Sequence, residues 1–460
     1  MPRKRIKLMG VGEGGFGGGG RGPLTKKPRA PSPKNSPNPT APKVLIVAGE
    51  ASGDAHAARL VAAIKEQEPR AKFLGIGGEE MSAQGVRILC PASDLAVVGL
   101  SEVAARLPAV WRALRAIGRV LATERPRLAI LVDFPDFNFW VARLARHRRV
   151  PVMYYISPQV WAWRTYRVRT IARLVDRMVV IFPFEAEFYR ERGVPVDYVG
   201  HPLMETLPPA PDRRIWLAAQ GLDPERLTVA LLPGSRASEI RVHLPLMLAA
   251  ARLLQKSIPQ IQFLLPLAST APAELVWNLL RDLGEGARGR GPTYNSPPSP
   301  RHQPPYGRWG GELEGRVIVS PSPLLITIPG QSFQALSAAH VAVVASGTAT
   351  VEAALAGTPT VIVYRLSPLS FQAGRWLVRV PHIGMANLLA GEGLFSELIQ
   401  DDFTPERLAR EVLALIHDPG RLEAVRRGLG RVVSALGGPG ASRRAARVAL
   451  ELMAVGSRRG

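Results

Sequence analysis

Residues 44–54 read Val-Leu-Ile-Val-Ala-Gly-Glu-Ala-Ser-Gly-Asp, and the periodic stretch AARLVAAIKEQ (57–67) follows them. A short apolar run, a glycine-bearing loop and an amphipathic segment, in that order, open a parallel α/β unit. The rhythm recurs downstream. Apolar runs at 73–76, 128–132, 152–156 and 178–182 each end in a loop rich in Gly, Pro or Ser. Between them, Leu107, Val110, Leu114, Ile117 and Leu121 recur at helical spacing, with Pro108 placed for a first turn. Around 202–227 the pattern breaks into PLMETLPPAPDRR, and then it restarts. Runs at 229–232, 262–265, 341–344 and 360–364 again feed loops, among them PGSR and ASGTATVEAALAG. The expected fold class is therefore α/β, with two Rossmann-like halves.

The boundaries follow from composition. Residues 1–42 are rich in Gly, Pro and Lys and hold too little apolar surface to order themselves, so a disordered tail is expected. The first half is expected at 43–205 and the second at 206–430, with a helical segment at 431–460. Residues 285–316, Pro/Gly-rich and without apolar periodicity, read as a flexible insertion in the second half, carrying Tyr294, Tyr306 and Trp309.

The chain has 460 residues and a formal charge of +22. Residues 1–43 hold ten Lys and Arg against one Glu; taking that +9 from +22 leaves +13 for the rest. A basic body suits a phosphorylated substrate, an anionic membrane surface or nucleic acid. A single cysteine, Cys90, excludes an internal disulfide and favours a reducing compartment. No run reaches a membrane-spanning length, and no apolar signal-peptide core follows the basic start.

In open parallel sheets, ligands bind beyond the carboxyl ends of the strands. The loops named above are thus where chemistry is expected. In Ala345-Ser346-Gly347-Thr348-Ala349-Thr350-Val351-Glu352, small residues and hydroxyls sit at a strand-to-helix turn. Unpaired amides and the helix dipole can hold a diphosphate there, with Glu352 one turn on to accept ribose hydroxyls. A simple N-cap by Ser346 or Thr348 is the alternative. Ser235-Arg236 follows another strand, where Arg236 can pair with phosphate or merely be solvated. Asp133 ends a strand in VDFPDFN (132–138); apolar neighbours would raise its pKa, as suits a general base acting on a sugar hydroxyl. Asp136 competes for that role, though it reads better as a helix cap. Glu50, Ser52 and Asp54 can recognise sugar hydroxyls or form a turn and an N-cap.

Trp161 and Trp163 precede Arg164, Arg167, Arg169, Arg173 and Arg177, and Arg112, Arg115 and Arg119 share one helix face. Both clusters fit either a membrane interface or an ordinary solvated basic face over packed tryptophans. His201 reads as a packing or loop residue. No metal-ligand spacing, GxSxG elbow or Walker A lysine loop is present in the sequence.

Taken in series, these loops resemble the lipid-A-disaccharide synthase family. The resemblance is carried by VAGEASGD (47–54), VDFPDFN (132–138), YYISPQVWAWR (154–164), FPFEAEFY (182–189), VGHPL (199–203), LLPGSRASEI (231–240), ASGTATVEAALAGTPTVIVYR (345–365) and ANLLAGE (386–392), in the family's order over roughly 43–430. It implies the GT-B architecture, two Rossmann-like domains facing a central cleft. It implies an inverting glycosyltransferase without metal or cofactor, joining UDP-2,3-diacylglucosamine to 2,3-diacylglucosamine 1-phosphate through a β-1,6 linkage. By the same resemblance Asp133 is the base. Glu50, Ser52 and Asp54 border the acceptor. Ser235, Arg236, Ser346, Gly347, Thr348, Glu352 and Asn387 hold UDP. The expected setting is the cytoplasmic face of the bacterial inner membrane, on an anionic lipid surface, with no nucleic acid partner and a homodimer left open. Two other readings compete: a different UDP-sugar enzyme, such as a peptidoglycan glycosyltransferase or an epimerase, which gives no reason for VDFPDFN or SPQVWAW; and a basic non-catalytic protein, which leaves the strand-end loops unexplained.

Overall fold

The computed structural model describes residues 41–95, 103–163, 165–268, 271–284, 317–321, 324–366 and 381–456. Residues 1–40 of the expected tail, the insertion with its three aromatic residues, and Arg164 lie outside them.

The apolar runs are strands because both of their faces are covered. β1 (Lys43–Ala48), β2 (Lys72–Gly77), β3 (Arg87–Pro91), β4 (Leu128–Val132), β5 (Val152–Tyr155), β6 (Arg177–Val180) and β7 (Val196–Tyr198) form one sheet in the order β3-β2-β1-β4-β5-β6-β7. Every pairing in it is parallel. Such a sheet needs helices on both sides, which is why its central strands carry continuous apolar sequence. Val44 and Ile46 join the core on one face, and Leu45 and Val47 join the core on the other.

The second half repeats the plan. β8 (Thr228–Leu232), β9 (Gln262–Leu267), β10 (Val317–Pro321), β11 (Leu324–Pro329), β12 (Val341–Ala345), β13 (Thr360–Tyr364) and β14 (Ser396–Ile399) order as β10-β11-β9-β8-β12-β13-β14. Only the β10–β11 pair is antiparallel among them. The two-fold α/β plan expected from the sequence is what the chain forms.

Each sheet winds outward from a centre, reverses and returns. β1 has β2 on one side and β4 on the other; β8 has β9 on one side and β12 on the other. These are the topological switch points, where diverging loops leave a crevice for a ligand.

The last segment departs from expectation. The boundary expected at 430 falls inside the helix Pro419–Ala435, and the chain turns only after it. The final helix, Ala441–Gly456, then packs on the first half, burying Ala445, Ala446, Ala449, Leu452 and Met453 against Ala57, Val61 and Tyr155. Two chain crossings lie side by side there. Tyr198 donates to the Ala435 carbonyl (2.7 Å), His201 N to Leu436 O (2.9 Å), and Ser442 Oγ to Glu205 (2.8 Å). The helix Val103–Thr123 also starts earlier than its apolar spacing suggests, which leaves Pro108 inside it.

Candidate active site

The helix Ala51–Gln67 begins immediately after β1, so Ser52 and Asp54 lie in its first turn rather than in a loop. Glu50 holds the N-cap position without a side-chain capping bond, and Glu50 and Ser52 are exposed. Asp54 is buried (5% exposed) and points elsewhere. Its carboxylate accepts from Gly78 N (2.7 Å), Glu80 N (3.0 Å) and Met81 N (3.3 Å), tying down the N-terminus of the helix Glu79–Ala83. Gly78 permits this approach, since a Cβ there would lie 2.6 Å from an Asp54 oxygen. Asp54 therefore spends three acceptor positions on the fold, holding one helix to another.

β4 delivers Asp133 to the same switch point. Asp133 (φ 44°) and Phe134 (φ 49°, ψ 60°) both take the left-handed conformation, and Pro135 then starts the helix Pro135–His147. Such residues cost on the order of 1–3 kcal/mol each and persist only where surroundings impose them. One imposition is visible: the Phe134 ring lies against Gly49, where a Cβ would meet it at 2.2 Å. Burial raises the Asp133 carboxyl to a pKa of about 6, and the Glu50 charge adds to the rise; the Phe134 amide and Arg236 oppose it. Asp136 is exposed in the first helical turn and pairs with Arg167 at 2.7 Å, while Phe134 holds the cap position.

At the second switch point, the loop after β8 carries Ser235 and Arg236, both exposed. Arg236 opens the helix Ala237–Ser257 and forms a capping box with Glu239, whose carboxylate accepts from Ser235 N (3.1 Å) and Arg236 N (3.3 Å). The Arg236 guanidinium stands 3.7 Å from Glu50 and 3.4 Å from Glu239. The loop after β12 places Gly347 and Thr348, both exposed, at the start of the helix Thr348–Leu355. Ser346 Oγ donates to the Ile383 carbonyl (3.0 Å). Glu352 sits one turn in, where burial raises its carboxyl to a pKa of about 7.

Asn387 does not join them. It is fully buried, with Nδ2 donating to Phe395 O (2.9 Å) and Glu397 (2.7 Å) and Oδ1 accepting from Phe395 N (2.8 Å). Glu397, unremarked in the sequence, accepts from Ile383 N and Gly384 N (2.9 Å each) and so braces the segment that receives the Ser346 hydroxyl. Through its bond to Glu397, Asn387 is joined to the segment that receives the Ser346 hydroxyl.

Trp161, in the short helix Val160–Trp163 after β5, is packed as well. Trp161 Nε1 donates to Glu185 (3.0 Å), and its ring meets Phe184 edge-on at 4.9 Å. Burial lifts Glu185 to a pKa of about 8. The His201 ring lies tilted against Phe182, centroids 5.1 Å apart, and its Nδ1 accepts from Leu203 N, a packing and loop role. Among the described residues, no group of three His, Cys, Asp or Glu is placed to hold a metal ion, and no helix is long and apolar enough to cross a membrane.

A family model described as lipid-A-disaccharide synthetase matches residues 44–284 and 319–451, which leaves the expected tail and insertion outside the match. The chain is 43% identical over 410 residues to a lipid-A-disaccharide synthase of Syntrophus aciditrophicus, covering 89% of this chain and 97% of that one. It is also 43% identical over 417 residues to the Geobacter metallireducens protein of the same name, covering 90% and 98%. Among solved structures it resembles the UDP-GlcNAc 2-epimerase of Neisseria meningitidis bound to UDP-GlcNAc (TM-score 0.56, 12% identity, 89% of this chain and 100% of that one). It also resembles a calicheamicin glycosyltransferase (TM-score 0.51, 16% identity, 89% and 98%). At such identities these two likenesses speak for the GT-B fold alone.

Proposed function

The chain belongs to the lipid-A-disaccharide synthetase family, whose members form the lipid A disaccharide; from that premise we propose that it joins UDP-2,3-diacylglucosamine to 2,3-diacylglucosamine 1-phosphate with inversion at the anomeric carbon. The observation that carries this reading is the pairing of two switch points, one presenting a half-buried carboxyl, Asp133, and the other an exposed guanidinium and helix N-terminus.

The acceptor binds beside Glu50 and Ser52. Asp133, ionised above a pKa of about 6, takes the proton of the acceptor's 6-hydroxyl as that oxygen attacks the donor's anomeric carbon. The bond from that carbon to the diphosphate breaks, and UDP leaves with the electron pair. Arg236, the amides opening the helix Thr348–Leu355, and the Ser235 and Thr348 hydroxyls stabilise the charge that develops on the diphosphate without calling on a metal. Glu352 accepts from the ribose hydroxyls. Base and leaving-group site on opposite sides of the crevice suit an in-line, inverting displacement.

The surface supports a further part of the reading. Leu107 and Trp111, one turn apart on the helix Val103–Thr123, and Trp140, on the adjoining helix Pro135–His147, are all more than half exposed. Arg112, Arg115 and Arg119 are exposed on the first of these helices, and Arg143 lies over the Trp140 ring at 5.0 Å. Exposed tryptophans beside cations suit an anionic lipid interface. The enzyme thus works as a peripheral protein on the cytoplasmic face of the inner membrane, where its acylated substrates lie.

Incubating the purified protein with both substrates, and with each omitted, tests the reaction. Disaccharide 1-phosphate and UDP in equal amounts, with a β linkage by proton NMR, are expected. An α linkage would overturn inversion, and UDP release without acceptor would reduce the activity to donor hydrolysis.

A further inference from the structure

Asp133 keeps its left-handed conformation because its carbonyl is caught from two sides. The Tyr154 hydroxyl, from the neighbouring strand β5, donates to Asp133 O at 2.6 Å. The Asn138 amide, from the first turns of the helix Pro135–His147, donates to the same oxygen at 2.6 Å and reaches Val132 O at 3.2 Å. Tyr154 and Asn138 are fully buried. The peptide on the other side of Asp133 is fixed more loosely, Asp133 N donating to Tyr155 O at 3.3 Å. Left free, a non-glycine residue at φ 44° would relax to an ordinary conformation, and its side chain would swing with it.

β5 supplies the tyrosine for a geometric reason. Consecutive residues of a strand point to opposite faces. Tyr154 therefore lies in the core that holds Phe137 and Phe139, and Tyr155 lies in the other core. Tyr154 is inclined to Phe139 with ring centroids 6.2 Å apart, so its ring is anchored and only its hydroxyl reaches the turn.

We propose that Tyr154 and Asn138 are positioning residues for the reaction: by holding the Asp133 carbonyl they set the turn that presents the Asp133 carboxyl to the acceptor hydroxyl. This rests on the reading of Asp133 as the base. Neither residue touches substrate. A carboxylate displaced by about an ångström from its proton loses on the order of tenfold to a hundredfold in rate, while substrate binding is untouched.

Tyr154→Phe keeps the anchored ring and removes one of the two bonds. It is measured alone and in an Asp133→Asn background, with kcat, both KM values, UDP affinity and the melting temperature recorded. The expected result is a kcat about tenfold lower for Tyr154→Phe, with KM and UDP affinity unchanged, and no further loss when it is added to Asp133→Asn. Asn138→Ser, which keeps a short donor, is expected to fall the same way. An Asp133→Asn enzyme near wild-type activity overturns the base reading, and the positioning role with it. A dead Asp133→Asn enzyme beside a wild-type Tyr154→Phe enzyme overturns the positioning role alone. Equal losses from Tyr154→Phe in both backgrounds reduce Tyr154 to a structural residue and overturn it as well.

Discussion

Arg236 Nη2 stands 3.7 Å from Glu50 Oε2. Arg236 follows β8, the switch-point strand of the second sheet, and Glu50 follows β1, the switch-point strand of the first, so this contact joins the two switch points. Both residues are exposed, and the pair itself adds little to stability. Its consequence is electrostatic: Glu50 raises the Asp133 pKa and Arg236 lowers it.

The pH profile of kcat/KM reads that balance. A base must be ionised, so activity is lost as pH falls through the Asp133 value of about 6. Glu50→Gln removes a like charge and moves this acid limb downward. Arg236→Gln removes an opposing one and moves the limb upward, while also weakening UDP binding. A limb that stays in place in both variants assigns it to another group.

Asp54→Ala strands three amides that now share one carboxylate. A loss of about 2 kcal/mol in urea unfolding is expected, with UDP affinity unchanged. Had Asp54 bound the acceptor, the KM for the acceptor would rise and stability would hold.

On the proposed reading, Glu352 accepts ribose hydroxyls, which a carboxylate does best. UDP affinity by calorimetry should therefore fall as pH drops through about 7. Glu352→Gln should bind UDP about tenfold more weakly above that pH, consistent with the loss of one charged hydrogen-bonding partner, and its affinity should no longer follow pH in that range.

The final helix belongs to the core of the first half. Met453→Ala, at 5% exposure, should cost roughly 2–5 kcal/mol in urea unfolding. A helix merely appended to the second half would lose almost nothing.

The central strands were legible because burial on both faces writes them as unbroken apolar runs, and the loops behind them because the carboxyl ends of such strands hold ligands. β7 has three residues, Val196-Asp197-Tyr198, and β3 (Arg87–Pro91) is a partly exposed edge; neither has the length or pattern to stand out. Long-range partners hide more deeply. Asp54 meets amides 24 to 27 residues away, and Asn387 meets Phe395 and Glu397 across a turn. In the sequence each resembles a free binding residue. The return of the last helix is hidden too, since nothing local in Ala441–Gly456 says which sheet it covers. Tyr154 reads as one more apolar residue of a strand until the Asp133 carbonyl is seen beside its hydroxyl.

Disaccharide formation by Asp133→Ala tests the central claim most directly, measured beside the wild type with UDP-2,3-diacylglucosamine and 2,3-diacylglucosamine 1-phosphate and with UDP binding as a check on folding. The account predicts a variant that binds UDP as the wild type does and makes almost no disaccharide. A variant that makes it at the wild-type rate would contradict the account.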